Sequence, residues 1–309
     1  MTDDRPVITS ASHPQAVALR KLLSRPQRCR REGVFVLDGS HLFEEALRSP
    51  HEAAFIFATP RFLADPSRTP LLEGIRARGW RLRPVTDRVL AGLAPTEHPQ
   101  GIVGVFERPT AARSDSRSGA RSGAGSRACS GARSDAPSAD RSGPVSEEAS
   151  QAPAAIAPGG FVLAGLQDPG NLGALARTAF ALGCDRLFTT AGTVDPYHAR
   201  ALRGSSGALL RMHISPDLSI EELLAETGVR EGKARLAALV PRGGSWPPRI
   251  GSRTPLYLAL GSEGAGLDPA LEAHCTFRWT IPIRPEAESL GVAAAGAIAL
   301  YEALVADQG

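Results

Sequence analysis

The sequence predicts an α/β protein made of two α/β domains in series. Three observations predict it: strand and helix patterns alternate through residues 1–107, they alternate again through residues 159–309, and the stretch between them carries almost no core-forming side chains. A chain of 309 residues is long enough for two domains that each bury a core.

In the first domain, Pro14 at a helix start followed by Val17, Leu19, Leu22 and Leu23 gives a short amphipathic helix. Residues 33–37, 53–57 and 102–106 read as strands, separated by helical patterns near 40–48 and 69–78. Arg20, Lys21, Arg25, Arg28, Arg30 and Arg31 lie between the first helix and the first strand, with no acid before Glu32. Guanidinium forks match phosphate oxygens, so this cluster reads either as a backbone-contact patch for RNA or DNA or as a solvated helix and loop face.

Residues 108–158 form the boundary. Ser, Gly, Ala and Pro make up 34 of these 51 positions, and Val145 and Ile156 are the only large aliphatics. Such a segment buries too little apolar surface to offset its ordering entropy, and it is expected to be a disordered linker bearing seven arginines. The net charge of +3 divides as +3 for residues 1–107, +2 for 108–158 and −2 for 159–309, so a polyanion partner is expected on the first half.

In the last domain, residues 161–166 form a buried-strand pattern that runs into Asp168-Pro-Gly-Asn171-Leu-Gly173 and then an apolar helix, 174–182. Strand, glycine-bearing turn and helix start make a place where backbone N–H groups hold an anion. There is no GxGxxG and no GK[ST], which argues against a Rossmann dinucleotide site or a P-loop. Asn171 alone reads as a helix cap and Arg177 alone as a solvated helix residue. A second hydrophobic strand, 255–260, ends in Gly261-Ser-Glu263-Gly-Ala-Gly266, where three glycines allow close passage of the main chain. A third strand end, Thr280-Ile-Pro-Ile283, leads through Ser289-Leu290-Gly291 into a small-residue helix, 292–306, for which Ser289 reads as a cap.

Several classes are excluded. The acidic start MTDDRP has no apolar core, so no signal peptide is expected, and no apolar run is long enough to span a bilayer. The four cysteines are widely spaced and the seven histidines form no paired cluster, so no metal and no disulfide is expected, as in a cytoplasmic protein.

Taken together, Asp168 to Ala179, Leu260 to Leu267 and Ile281-Pro-Ile with Ser289-Leu-Gly-Val292 resemble the three motifs of the SpoU/TrmH branch of the SPOUT RNA methyltransferases. Arg203 to Leu210 is similar to the segment that family carries between the first two motifs. Ile8 to Ser12, Arg28 to Gly39 and Pro99 to Val103 resemble the L30e-like substrate-binding domain often fused ahead of it.

The resemblance implies an L30e-like domain over 1–107 and, over 159–309, a SPOUT domain: a Rossmann-like parallel sheet whose C-terminal segment threads a trefoil knot. It implies S-adenosylmethionine as cofactor, with Thr190, Gly261, Ile281 and Leu290 around it, and a homodimer formed through the SPOUT domain. Asn171, Arg177, Glu263 and Ser289 would form the catalytic set, and the six cations of residues 20–31 would bind RNA. The implied reaction is methyl transfer to a ribose 2′-hydroxyl, of ribosomal RNA ahead of transfer RNA. A sulfonium methyl is already activated, so the task is to align a weak alcohol nucleophile and assist loss of its proton. Arg177 stays protonated, which suits it to anchoring phosphate and stabilising a developing alkoxide. One position departs from the pattern: Gly291 stands where motif three carries Asn, and the alternative this raises is a homologue that binds RNA without methylating it.

Overall fold

The computed structural model describes residues 6–94, 99–109, 158–246 and 254–305. Most of the expected linker, 110–157, lies outside the described residues.

In the first domain α1 (Pro14–Leu23) starts at a proline, His13 caps it by accepting the Gln15 N–H at 3.3 Å, and Ala16, Leu19 and Leu22 form its buried face. The basic stretch continues into a second helix, α2 (Pro26–Arg31). There follow β1 (Val34–Asp38), α3 (Ser40–Leu47), β2 (Ala53–Ala58), α4 (Pro60–Ala64), α5 (Thr69–Ala77), β3 (Leu82–Pro84), α6 (Asp87–Ala91) and β4 (Ile102–Glu107). The sheet order is β1-β4-β2-β3, with β4 antiparallel to both neighbours and β2 parallel to β3. The last strand is thus central, which explains its continuously apolar pattern Ile-Val-Gly-Val-Phe.

The second domain comprises β5 (Pro158–Leu163), α7 (Pro169–Ala181), β6 (Arg186–Thr190), α8 (Ala199–Gly204), β7 (His213–Leu218), α9 (Ile220–Thr227), β8 (Arg235–Leu239), β9 (Leu256–Leu260), α10 (Pro269–Glu272), β10 (Phe277–Trp279) and α11 (Val292–Val305). Its six strands are all parallel, in the order β10-β8-β9-β5-β6-β7. The chain proceeds outward from β5 to β7 and then returns to build the other half, so the order reverses between β5 and β9. In open parallel sheets ligands bind at the carboxyl ends of the strands at such a reversal.

Three local readings are corrected. Helix α7 begins at Pro169, five residues before the apolar run, because Asp168 caps it by accepting the N–H groups of Gly170 and Asn171. Asn171 is therefore inside the first turn, with its side chain released from capping. Residues 280–283 are not a strand; β10 ends at Trp279, and a proline at 282 suits the irregular course beyond it. Ser289 lies three residues before α11 and does not cap it, since the Ala295 N–H bonds back to the Gly291 carbonyl.

The two sheets share one continuous core that contains Phe35, Phe43 and Phe106 from the first domain with Phe161, Leu202 and Trp279 from the second. Arg108, assigned by composition to the linker, is part of this junction.

Candidate functional site at the carboxyl ends of the strands

The loops that follow β5 and β9 face each other across the reversal point. Asn171 Nδ2 donates to Glu263 Oε1 at 2.6 Å, which ties the first turn of α7 to the glycine loop 92 residues away in sequence. Both residues reach solvent, so the bond is a latch at the rim. The glycine loop is itself tightly closed: Ser262 and Gly266 exchange backbone hydrogen bonds at 3.1 and 3.0 Å. A Cβ added at Gly261 would stand 2.0 Å from the Gly266 carbonyl, so no larger residue fits there.

Beside this loop lies a cleft of about 380 Å³, within the usual size of a small-molecule site. Gly261, Glu263, Ile281, Ser289 and Leu290 all line it, so the structure brings five of the sequence-predicted residues together. Among the described residues Glu263 is the only ionisable side chain in its wall, beside the hydroxyls of Ser262 and Ser289, apolar side chains and the backbone of the glycine loop. Leu290 remains exposed although it is apolar, as does the neighbouring main chain at Gly291.

Three predicted residues lie outside the cleft wall. Thr190 ends β6, on the far side of β5 from the cleft, and is half-buried with its hydroxyl near the Ala191 carbonyl at 3.5 Å. Arg177 is exposed on α7 and outside the cleft wall, and no hydrogen bond or ion pair engages it among the described residues. Its guanidinium is available to an incoming anion. Asn171 is not in the wall either and joins it through Glu263.

The wall also contains Leu239, Val240 and Pro241, which sequence reading did not single out. Leu239 ends β8, the other neighbour of β9, and Val240 and Pro241 follow it; the signal that marks them is only a proline shortly after a hydrophobic strand.

Six basic residues were expected to act together in the first domain. Arg25, Arg28 and Arg31 line one shallow cleft on α2. Arg28 also pairs with Glu32 at 2.5 Å, Arg20 donates to the Ala11 carbonyl at 3.0 Å, and Arg30 is paired with Asp217 of the second domain. Lys21 is exposed at the end of α1. Among the described residues no group of three or more His, Cys, Asp or Glu is arranged to hold a metal, and no helix is long and apolar enough to cross a membrane.

Residues 160–301 match the model of the SpoU rRNA Methylase family, and residues 14–104 match that of the MRM3-like substrate binding domain. An uncharacterized tRNA/rRNA methyltransferase of Synechocystis is 30% identical over 98% of this chain and 95% of its own. The chain belongs to the SpoU rRNA methylase family. A second member, the 23S rRNA (guanosine(2553)-2'-O)-methyltransferase of Bacillus subtilis, is 27% identical over 95% of this chain and 97% of its own. Among solved structures, an RNA 2'-O ribose methyltransferase superposes with a TM-score of 0.69, covering 97% of this chain and 98% of that one at 23% identity. An AdoMet-bound rRNA methyltransferase from Sinorhizobium meliloti gives 0.70 over 96% and 97%, at 22% identity. At these identities the structures establish the fold, and the likeness extends over both domains.

The cleft fits the cofactor of this family. An adenosyl group needs an apolar slot with backbone donors and acceptors at its edge, and a sulfonium is favoured near a carboxylate. Leu239, Ile281 and Leu290 would form such a slot, the 261–266 main chain its edge, and Glu263 would provide the charge.

Proposed function

We propose that this SpoU-family chain transfers the methyl group of S-adenosylmethionine to a ribose 2′-hydroxyl of ribosomal RNA. The observation that carries the reading is the Asn171–Glu263 bond, which fastens the helix bearing Arg177 to the loop that walls the cleft. S-Adenosylmethionine, when bound, supplies an activated methyl group. The protein residues then hold the acceptor. Arg177 anchors the target phosphate and stabilises negative charge as the 2′-hydroxyl loses its proton, a role that suits a group always protonated. Glu263 accepts from Asn171 and so fixes which face of the amide meets the ribose. Ser289, exposed at the cleft mouth, offers a hydroxyl to the nucleotide.

Three further features belong to the same reading. Arg177 is exposed and outside the cleft wall of its own chain, while α11, which packs on α7, leaves Ile298 and Tyr301 39% and 52% exposed. A homodimer through these helices covers that apolar stripe and completes the site. Residues 281–292 pass through the cleft wall beside 261–266 before α11 packs against α7 and β9, a course in keeping with a trefoil knot. The first domain binds RNA through Arg20, Lys21, Arg25, Arg28, Arg30 and Arg31, with a linker running from beyond Arg108 to β5, and the whole acts in the cytoplasm.

The test is ribose-methylation mapping of total RNA from cells with and without the gene, together with Arg177→Ala in the purified enzyme. One ribosomal site should vanish with the gene, and Arg177→Ala should lower kcat by about 10²–10³-fold, as for loss of one charge-stabilising donor. An unchanged methylation map, with no labelled methyl transferred in vitro to RNA from the deletion strain, rejects the proposal.

A further inference from the structure

We infer that Arg108 is a positioning residue, through which the substrate-binding domain holds the catalytic helix α7 in register.

Arg108 is the first residue after β4, and its side chain is only 12% exposed. Its Nη1 and Nη2 donate to the two carboxylate oxygens of Asp195 at 3.1 and 2.5 Å, and its Nε donates to the Val34 carbonyl at 2.9 Å. The guanidinium also lies 5.0 Å from the centre of the Tyr197 ring, which packs on Phe35 at 4.9 Å. All of the fork is thus engaged, two prongs on the catalytic domain and one on β1.

Asp195 in turn fixes the start of a short segment. It accepts from the Tyr197 N–H at 3.0 Å, and its own carbonyl accepts from His198, the residue before α8. The far end of the segment is held by the same domain. His41 Nε2 lies 2.8 Å from the Ser206 hydroxyl, and Arg211 meets Glu45 at 3.7 Å. Among the described residues Ser206 and Asp217 are the non-glycine positions with positive φ, and each contacts the first domain, Asp217 through Arg30. Strained backbone persists where surrounding contacts over-determine it.

Between these grips α8 packs on α7. A Cβ at Gly173 would stand 2.5 Å from the Ala201 carbonyl, so the two helices touch main chain to main chain. Arg200 Nη2 lies 3.5 Å from Oδ1 of Asp168, whose other oxygen accepts the Asn171 N–H at 3.3 Å. A shift of α8 therefore moves the residues that set Asn171 and, along the same helix, Arg177. Small displacements of aligned groups cost far more in turnover than in binding.

The kinetic arm of the test rests on the methyl-transfer reading; the exchange arm does not. In the full-length protein, Arg108→Ala is compared with Arg108→Lys and wild type, using deproteinised total ribosomal RNA from cells lacking the gene. Arg108→Ala should lower kcat about 10-fold or more with KM for RNA within about twofold, and Arg108→Lys should recover part of the loss. Amide hydrogens of residues 169–177 should exchange faster in Arg108→Ala than in wild type, with the lysine variant between. A rise in KM alone, or unchanged exchange at 169–177 in both variants, overturns the inference. A wild-type chain that methylates nothing sinks the methyl-transfer reading, and the exchange comparison then decides the role of Arg108 by itself.

Discussion

The Asn171 amide and the Glu263 carboxylate are joined by a 2.6 Å hydrogen bond that bridges the two strands flanking the sheet reversal. Among the described residues neither side chain has an equivalent partner within its own loop, so each fixes the other. A hydrogen bond to a charged acceptor contributes more than a neutral one, and here its effect is geometric as much as energetic.

Removing either partner should therefore have nearly the effect of removing both. In a double-mutant cycle on kcat/KM, Asn171→Ala and Glu263→Ala should be coupled by about 1–2 kcal/mol, within the range for directly contacting groups. Strict additivity of the two losses would show that they act separately.

Gly173→Ala tests the close approach of α7 and α8. The added methyl meets backbone atoms at 2.5 and 2.9 Å, which cannot rotate away, so the helices must separate. Destabilisation of about 1–3 kcal/mol in denaturant unfolding is expected, typical of an overpacked site, although alanine favours helices over glycine elsewhere. A more stable variant would contradict the contact.

Stability should fall on both sides of neutrality. Burial lowers the pKa of His51 below the ordinary 6.5, so as pH drops through that value the unfolded chain takes up a proton that the folded chain refuses. Partial burial acts on His198 in the same direction. Burial also holds Tyr197 up to about 12 and Cys184 up to about 12, against ordinary values of 10.0 and 9.0. Above pH 9 the unfolded chain sheds those protons first, and stability declines again. Thermal midpoints measured from pH 5.5 to 10 should pass through a maximum between these limbs, and His51→Gln should flatten the acid limb only.

Gly291→Asn addresses the departure in motif three. A Cβ there meets no atom within 4 Å, so the glycine is not imposed by space. Gly291 occupies the cap position of α11, where Asn is worth a few tenths of a kcal/mol more than Gly. The variant should fold with a slightly raised midpoint and at least wild-type methyl transfer; a fall in turnover would show that the cleft of this chain is adapted to glycine.

The long elements of both domains were legible because their apolar periodicity is strong, as in α3, α5, β4 and β9. The short ones, α4, α6, β3 and β10, have three to five residues and carry no period to read. At the site, the loops around Gly261, Ile281 and Leu290 announced themselves through glycine, proline and their likeness to a family pattern. Val240 and Pro241 did not, because a wall made of ordinary apolar residues looks the same in sequence as a strand end. The start of α7 was misread for a related reason: its cap, Asp168, acts before the apolar stripe begins. Arg108 was hidden by its neighbours' composition, and only its packing against Asp195 and Tyr197 separates it from them.

The strand order also has a consequence for synthesis on the ribosome. β9, residues 256–260, lies between β5 and β8, so the middle of the catalytic sheet is filled almost 100 residues after β5 has been made. Until then β5 and β8 have no common neighbour, and the glycine loop and the cleft-wall residues from 281 onward do not yet exist. A nascent chain halted before residue 256 has made Leu239, Val240 and Pro241 but not the strand and glycine loop that complete the cleft, so truncated products lack the site as a whole.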